Sequence, residues 1–305
     1  MIKKLKIFFK KHEKSLLIIS FVYLIGVCAY MIIHRSWFSP DQFFAFAIFG
    51  ALLAGRIKMF LFDWIPFLLF FFGYEFLRGI VPHINSNVHI LTMIRIDRFI
   101  FGTVPTIKLQ QLFYNPNHLQ WYDYFLVTCY IAYFVMPMLV GYYFWIKDRA
   151  FFKKFSLAFV LLAYACFITF IIFPAMPPWM ASGQGYLPPI EEVTGHVMAH
   201  FLPSQLSLPT VYQLVSADPV AAFPSLHAAV PTLIFLFLFK KYKKRALLFL
   251  PYLFGVWIAV IYLGEHYFTD VLFGAIYATT VFLLVNHWSF IKKKLKVLFS
   301  SLAIS

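Results

Sequence analysis

The chain has 305 residues, of which 62% are hydrophobic, 21% aromatic and only 12% charged. A soluble domain is about 45–50% apolar and about 25% charged, so this composition excludes a water-soluble enzyme and a disordered protein and points to lipid as the solvent. The formal net charge of +14 gathers at the ends of apolar runs, as in a membrane protein, and not along one basic face, so no nucleic-acid partner is expected.

Eight apolar runs follow one another, over about 16–33, 42–55, 59–77, 121–146, 155–173, 226–239, 246–264 and 267–287. A spanning helix needs roughly 17–25 apolar residues, which leaves the second and sixth runs short. The first follows six lysines but is long for a signal peptide, and no small-x-small cleavage site precedes His34-Arg35, so it is read as an uncleaved helix. Segments 1–14, 56–58, 147–154, 240–245 and 292–296 hold 21 of the 26 Lys and Arg residues and fall on alternate sides of the runs. That bias predicts both termini in the cytoplasm, with loops 78–120 and 174–225 outside or in a lumen. Cys28, Cys129 and Cys166 all lie inside apolar runs and read as small buried hydrophobes rather than as a disulfide framework. The expected fold class is all-α, one polytopic bundle of about eight helices over 1–305. It comprises N-terminal membrane helices in 1–74, a main region over 75–285 and a basic cytoplasmic tail in 286–305.

The outer loops read as organised segments. Loop 174–225 contains no Lys or Arg and is rich in proline and aromatics, beginning with Phe173-Pro174-Ala175-Met176-Pro177-Pro178-Trp179. Proline fixes backbone without donating a hydrogen bond, and Trp and Tyr favour the membrane interface. Polar groups near membrane depth are candidates for function. In Phe223-Pro224-Ser225-Leu226-His227, Ser225 is the expected N-cap of a helix. His227 then lies in the first turn, where unpaired N–H groups favour phosphate. Counting back from Lys240 gives roughly 20 Å of rise against a core about 30 Å thick, so His227 is expected somewhat below the outer surface. In Tyr262-Leu263-Gly264-Glu265-His266 to Asp270, His266 and Asp270 are i,i+4 on one helical face. A carboxylate beside an imidazole fixes its tautomer and makes the other nitrogen a better nucleophile or base. Two histidines and an aspartate at one depth suit phosphoryl transfer, one histidine attacking and the other protonating the leaving oxygen. Taken singly, a His at a membrane interface is usually a snorkelling or hydrogen-bonded structural residue, and it is the three partners at matching depth that favour function. A zinc site from His227, Glu265, His266 and Asp270 is the rival reading, but no HExxH or paired-cysteine spacing supports it.

These residues resemble a known family. Pro224-Ser225-Leu226-His227 is similar to the second motif of the type 2 phosphatidic acid phosphatase (PAP2) superfamily, and Gly264-Glu265-His266 through Asp270 to its third. FPSLHAA with YLGEHYFTD, FPAMPPW over 173–179, and Asp97-Arg98-Phe99-Ile100-Phe101-Gly102 with Pro105 resemble the inositol phosphorylceramide synthase (inositolphosphotransferase) branch. The resemblance covers about 75–285 and makes six of the helices a PAP2-like core. It implies His266 as a nucleophile forming phosphohistidine, Asp270 as the residue orienting it, and His227 as general acid, with no metal and no cofactor. Ser225, Arg78, Tyr262 and Trp179 are the expected phosphate- and substrate-binding residues.

Phosphatases of the superfamily carry a Lys and an Arg in the first motif and an Arg before the third; this chain has FPAMPPW and Val260-Ile261-Tyr262. A phosphoryl site still needs positive charge, and the outer side offers only Arg35, Arg78, Arg95, Arg98 and Lys108. Arg78 is the first candidate, although it also suits an ion pair with Glu75. Arg95 and Arg98 flank Asp97 and suit the anchoring of an amphipathic segment, Arg35 an interfacial anchor, and Asp63 a structural role. The expected function is a membrane phosphotransferase that moves a phospho-headgroup, such as phosphoinositol, from a phospholipid donor to a lipid alcohol acceptor such as ceramide. The partners are thus lipids, and the site faces outward, at the plasma membrane. The alternatives are a lipid phosphate phosphatase using the same residues and, more distantly, a transporter, against which the chain shows no internal repeat.

Overall fold

The computed structural model describes residues 56–78, 84–201 and 220–302, together with Ile18, Val22, Ile25, Ile48, Gly50 and Ala51. Among the described residues the chain is all helical. The helices are α1 (Ile57–Arg78), α2 (Leu91–Phe101), α3 (Pro105–Phe113), α4 (Trp121–Lys147), α5 (Arg149–Ile172), α6 (Pro178–Gly183), α7 (Val193–Phe201), α8 (Leu226–Tyr242), α9 (Leu250–Tyr262) and α10 (Phe268–Leu302), with a 3-10 segment over Lys243–Phe249.

Among the described residues, four stretches are long and apolar enough to cross a membrane: Trp121–Lys147, Arg149–Ile172, Leu226–Tyr262 and Phe268–Trp288. The chain is therefore an integral membrane protein. Large apolar side chains such as Phe62, Leu69, Ile168, Ile172 and Ile258 are exposed on the helices, as a lipid-facing surface requires. The expected runs 16–33 and 42–55, the N-terminal lysines, Arg35 and Cys28 lie outside the described residues, apart from the isolated positions named above. Cys129 and Cys166 are free thiols and buried.

The start of the fifth helix differs from the sequence reading. The fifth helix begins at Arg149 rather than near 155, because Asp148 caps it: its Oδ1 accepts the Phe151 N–H at 3.0 Å. The Leu226–Tyr262 stretch is bent where the basic residues gather, with Lys243 in the left-handed region at φ 51°. α9 turns back along α8, so that Trp257 near its end donates to the Ala228 carbonyl, at the start of α8, at 3.3 Å.

α8 is the hub. Its sequence is apolar on every side, the pattern of a helix enclosed by others, and it packs against α4, α5, α9 and α10. Ala228, Ala229, Leu233, Ile234 and Phe237 are fully buried. α1 joins the same core through Phe60, Trp64 and Phe67. Asp63 of α1 is structural: it accepts from Trp145 Nε1 at 3.0 Å and from Arg149 at 2.5 and 2.8 Å. The long segments between the apolar helices carry the short helices α2 and α3, then α6 and α7.

The start of α8 meets α10 at Gly274, where a Cβ would lie 2.3 Å from the Ser225 carbonyl oxygen. That contact is with backbone and no rotamer relieves it. Gly274→Ala is expected to cost about 1–3 kcal/mol by overpacking and to lower the melting temperature in detergent; an unchanged melt would contradict this close approach.

Candidate active site

The frame of the site is backbone paired to backbone. His89 N–H donates to the Pro174 carbonyl at 2.8 Å, and Met176 N–H to the His89 carbonyl at 3.2 Å. On its other side Ala175 N–H donates to Val220 O at 2.8 Å, and Ala222 N–H to Ala175 O at 3.2 Å. The proline-rich segment thus stitches the start of loop 78–120 to the end of loop 174–225. Phe223-Pro224 is a cis peptide, and Ser225 follows as the N-cap of α8, its Oγ accepting the Ala228 N–H at 3.3 Å. Ser225 N–H donates to the Asp270 carbonyl at 3.0 Å, which ties the starts of α8 and α10 together.

These ties bring the two histidines together, their ring planes tilted by 54°. His266 Nε2 lies 3.3 Å from His227 Nδ1. His266 Nδ1 lies 2.9 Å from the Ala222 carbonyl oxygen and 3.6 Å from Asp270 Oδ2. Both neighbours of Nδ1 are acceptors, so Nδ1 carries the proton and Nε2 holds a lone pair directed at His227. The direct hydrogen bond that sets this tautomer is donated by His266 Nδ1 to the Ala222 carbonyl. Asp270 stands beside the same nitrogen. Its carboxylate is buried and Oδ2 accepts the Tyr267 N–H at 2.8 Å. His227 in turn is enclosed by α4: the Tyr130 ring stacks on it at 4.5 Å and Tyr133 lies at 4.3 Å.

A second carboxylate serves the same helix start. Asp97 of α2 is fully buried. It accepts Phe268 N–H at 2.9 Å, Thr269 N–H at 3.0 Å and the Thr269 hydroxyl at 2.5 Å. It therefore caps α10 from a distant part of the chain. Burial pushes its carboxyl above the ordinary value, against the lowering effect of those three bonds. Gln110 of α3 clamps the neighbouring loops, donating to Glu191 O at 2.9 Å and Tyr262 O at 2.8 Å and accepting Glu191 N–H at 2.9 Å. Glu265 accepts the Thr194 hydroxyl at 2.9 Å. Burial raises its carboxyl, and nearby Glu192 raises it further, while the Thr194 bond and His266 oppose the rise.

Among the expected site residues, His227, His266, Asp270 and Ser225 come together. Trp179 adjoins them through backbone: its N–H donates to Gly264 O at 3.1 Å. Gly264 sits at φ +87°, and a Cβ there would lie 3.1 Å from Glu191 O, so the turn before His266 requires glycine. Tyr262 is buried with its hydroxyl donated to Asp123 of α4. Arg78 ends α1, and its side chain lies outside the described residues. Arg95, Arg98 and Lys108 are exposed on α2 and α3. Among the described residues no group of three or more His, Cys, Asp or Glu is arranged to hold a metal ion. The Ala222 carbonyl and the aromatic enclosure were not anticipated. The first has no side-chain signal, but Tyr130, Tyr133 and Phe134 at i, i+3 and i+4 were readable as one helical face.

Asp97→Ala removes all three contacts from the start of α10. It is expected to cost about 2 kcal/mol or more, as a lost cap with buried donors left unpaired. Thermal melting in detergent measures this, and a melt equal to the wild type would show that the cap is not holding the helix.

Comparison with known proteins agrees with this geometry. The family model described as the PAP2 superfamily matches residues 91–284. A phosphoinositol dihydroceramide synthase of Bacteroides thetaiotaomicron is 25% identical over 274 residues, covering 87% of this chain and 88% of that protein. The inositol phosphorylceramide synthase catalytic subunit of Saccharomyces cerevisiae is 28% identical over 124 residues, covering 36% of this chain and 28% of its own length. No solved structure matches the chain. The family match takes in both histidines, Asp270, the proline-rich segment and Asp97, and the chain belongs to the PAP2 superfamily.

Proposed function

We propose that this enzyme transfers a phosphoinositol group from phosphatidylinositol to the hydroxyl of a ceramide-type lipid, through a phosphohistidine on His266. The observation that carries the reading is the His266 ring, with Nδ1 held by the Ala222 carbonyl at 2.9 Å and Nε2 turned to His227 Nδ1 at 3.3 Å. The choice of headgroup and acceptor rests on the relative that aligns over 87% of the chain and is named a phosphoinositol dihydroceramide synthase.

In the first step the Nε2 lone pair forms a bond to phosphorus. The bond from phosphorus to the diacylglycerol oxygen breaks, its electron pair leaves with that oxygen, and His227 supplies the proton. The phosphorylated ring, still protonated at Nδ1, is cationic, and the buried Asp270 carboxylate compensates it. In the second step the acceptor hydroxyl gives its proton to His227 and its oxygen bonds to phosphorus. The P–N bond breaks and its electron pair returns to Nε2. Arg78, with the N-terminal N–H groups of α8, is our candidate for holding the phosphate oxygens. A diester carries one negative charge where a monoester carries two. This suits a site whose first motif lacks the Lys and Arg of the family's phosphatases. The site faces the outer side, and the plasma membrane is the expected location.

Purified protein in mixed micelles, given inositol-labelled phosphatidylinositol and dihydroceramide, is expected to move label onto the sphingolipid. His266→Ala is expected to lower the rate by at least about a thousandfold, and Asp270→Asn by a smaller factor. Release of inorganic phosphate from phosphatidic acid, independent of any acceptor, would replace this reading with a hydrolase.

A further inference from the structure

The enclosure of His227 is built by one face of one helix. Tyr130, Tyr133 and Phe134 are i, i+3 and i+4 on α4. Tyr130 stacks on the imidazole with ring centroids 4.5 Å apart and planes 17° apart. Tyr133 covers it at 4.3 Å and 43°, and Phe134 meets it edge-on at 5.8 Å. α4 packs on α8 and on α9, so this face is fixed by the core and not by a loop. The imidazole has two soft torsions and sits in the first turn of α8, where nothing in the helix itself selects its direction. A ring held between aromatic faces loses that freedom, and a face so placed also attracts the ring when it is cationic.

We propose that Tyr130 and Tyr133 are positioning residues for the proton transfer, acting through their ring faces to hold His227 Nδ1 toward the reacting oxygen. The inference rests on reading His227 as the general acid. It adds that the phenol rings, rather than their hydroxyl groups, set the geometry. Misplacing a catalytic group by about 1 Å costs on the order of a hundredfold, and this is the scale of loss expected when a face is removed.

The test separates proton transfer from general damage by changing the leaving group. Phosphatidylinositol expels an alkoxide that needs a proton. An inositol 4-nitrophenyl phosphodiester expels a nitrophenolate that does not. Full-length wild type, Tyr130→Leu, Tyr133→Leu, Tyr130→Phe, Tyr133→Phe and His227→Ala are assayed for kcat and KM on both compounds, with melting in detergent to check folding. The Leu variants are expected to lose about 10- to 100-fold in kcat on phosphatidylinositol with KM little changed. Their loss on the nitrophenyl diester is expected to be under about threefold, and the Phe variants are expected to match the wild type on both. His227→Ala should show the same pattern, with a larger loss on phosphatidylinositol. Equal losses on the two compounds in both Leu variants, or losses in the Phe variants as large as those in the Leu variants, would overturn the inference while leaving His227 as the acid. Equal losses in His227→Ala would instead overturn the acid assignment. Should one Leu variant fail to fold, the other Leu variant and the Phe pair still give the comparison.

Discussion

The site depends on one tautomer. His266 has two nitrogens, and which one holds the lone pair decides whether the ring faces its partner as a nucleophile or as a donor. The Ala222 carbonyl at 2.9 Å settles this by accepting from Nδ1. Asp270 Oδ2, 3.6 Å from the same nitrogen, adds a buried negative charge on the same side. A carbonyl makes this choice only if it is fixed, and Ala222 is fixed by its own N–H bond to Ala175, which is paired in turn with Val220 while its neighbours Pro174 and Met176 bond to His89. The proline-rich loop is therefore tied to the His266 ring through its backbone.

The helices supply the rigid counterpart. α8 is enclosed by four others and carries Ser225 and His227 at its N-terminal end. α10 carries Asp270 in its first turn, and that end is held at Gly274 by close approach to Ser225 and from the side by Asp97. Two carboxylates, Asp270 and Asp97, take the N–H groups of Tyr267, Phe268 and Thr269. The N-terminus of α10 is thereby satisfied by protein, which leaves α8 as the helix start that suits an anionic group.

Much of this was legible in the sequence because the signals were local. Proline and serine before an apolar run marked the start of α8, and the i,i+4 pair His266 and Asp270 needed only helical periodicity. The runs over 121–146, 155–173, 226–239, 246–264 and 267–287 correspond to α4, α5, α8, α9 and α10. The long-range terms were not legible. Asp97 stood between Arg95 and Arg98, which made its segment look like a charged surface anchor, whereas it is buried and caps a helix that starts some 170 residues later. Tyr262 stands beside the histidine motif, and nothing in the sequence links its hydroxyl to Asp123, a carboxylate buried at the start of α4 to which it donates. Gly274 carries no signal within its apolar helix, because its need for a missing Cβ comes from the distant Ser225 backbone.

The most direct measurement is to trap the covalent intermediate. Wild-type protein would be mixed with labelled phosphatidylinositol without acceptor, quenched in base, where a phosphohistidine survives, and digested for mass spectrometry and phosphorus NMR. The account predicts an inositol phosphate on the peptide containing His266, attached at Nε2 and discharged when dihydroceramide is added before the quench. Label on Nδ1, on another residue, or on no residue while turnover proceeds would contradict it, because the tautomer set by Ala222 leaves only Nε2 free to attack.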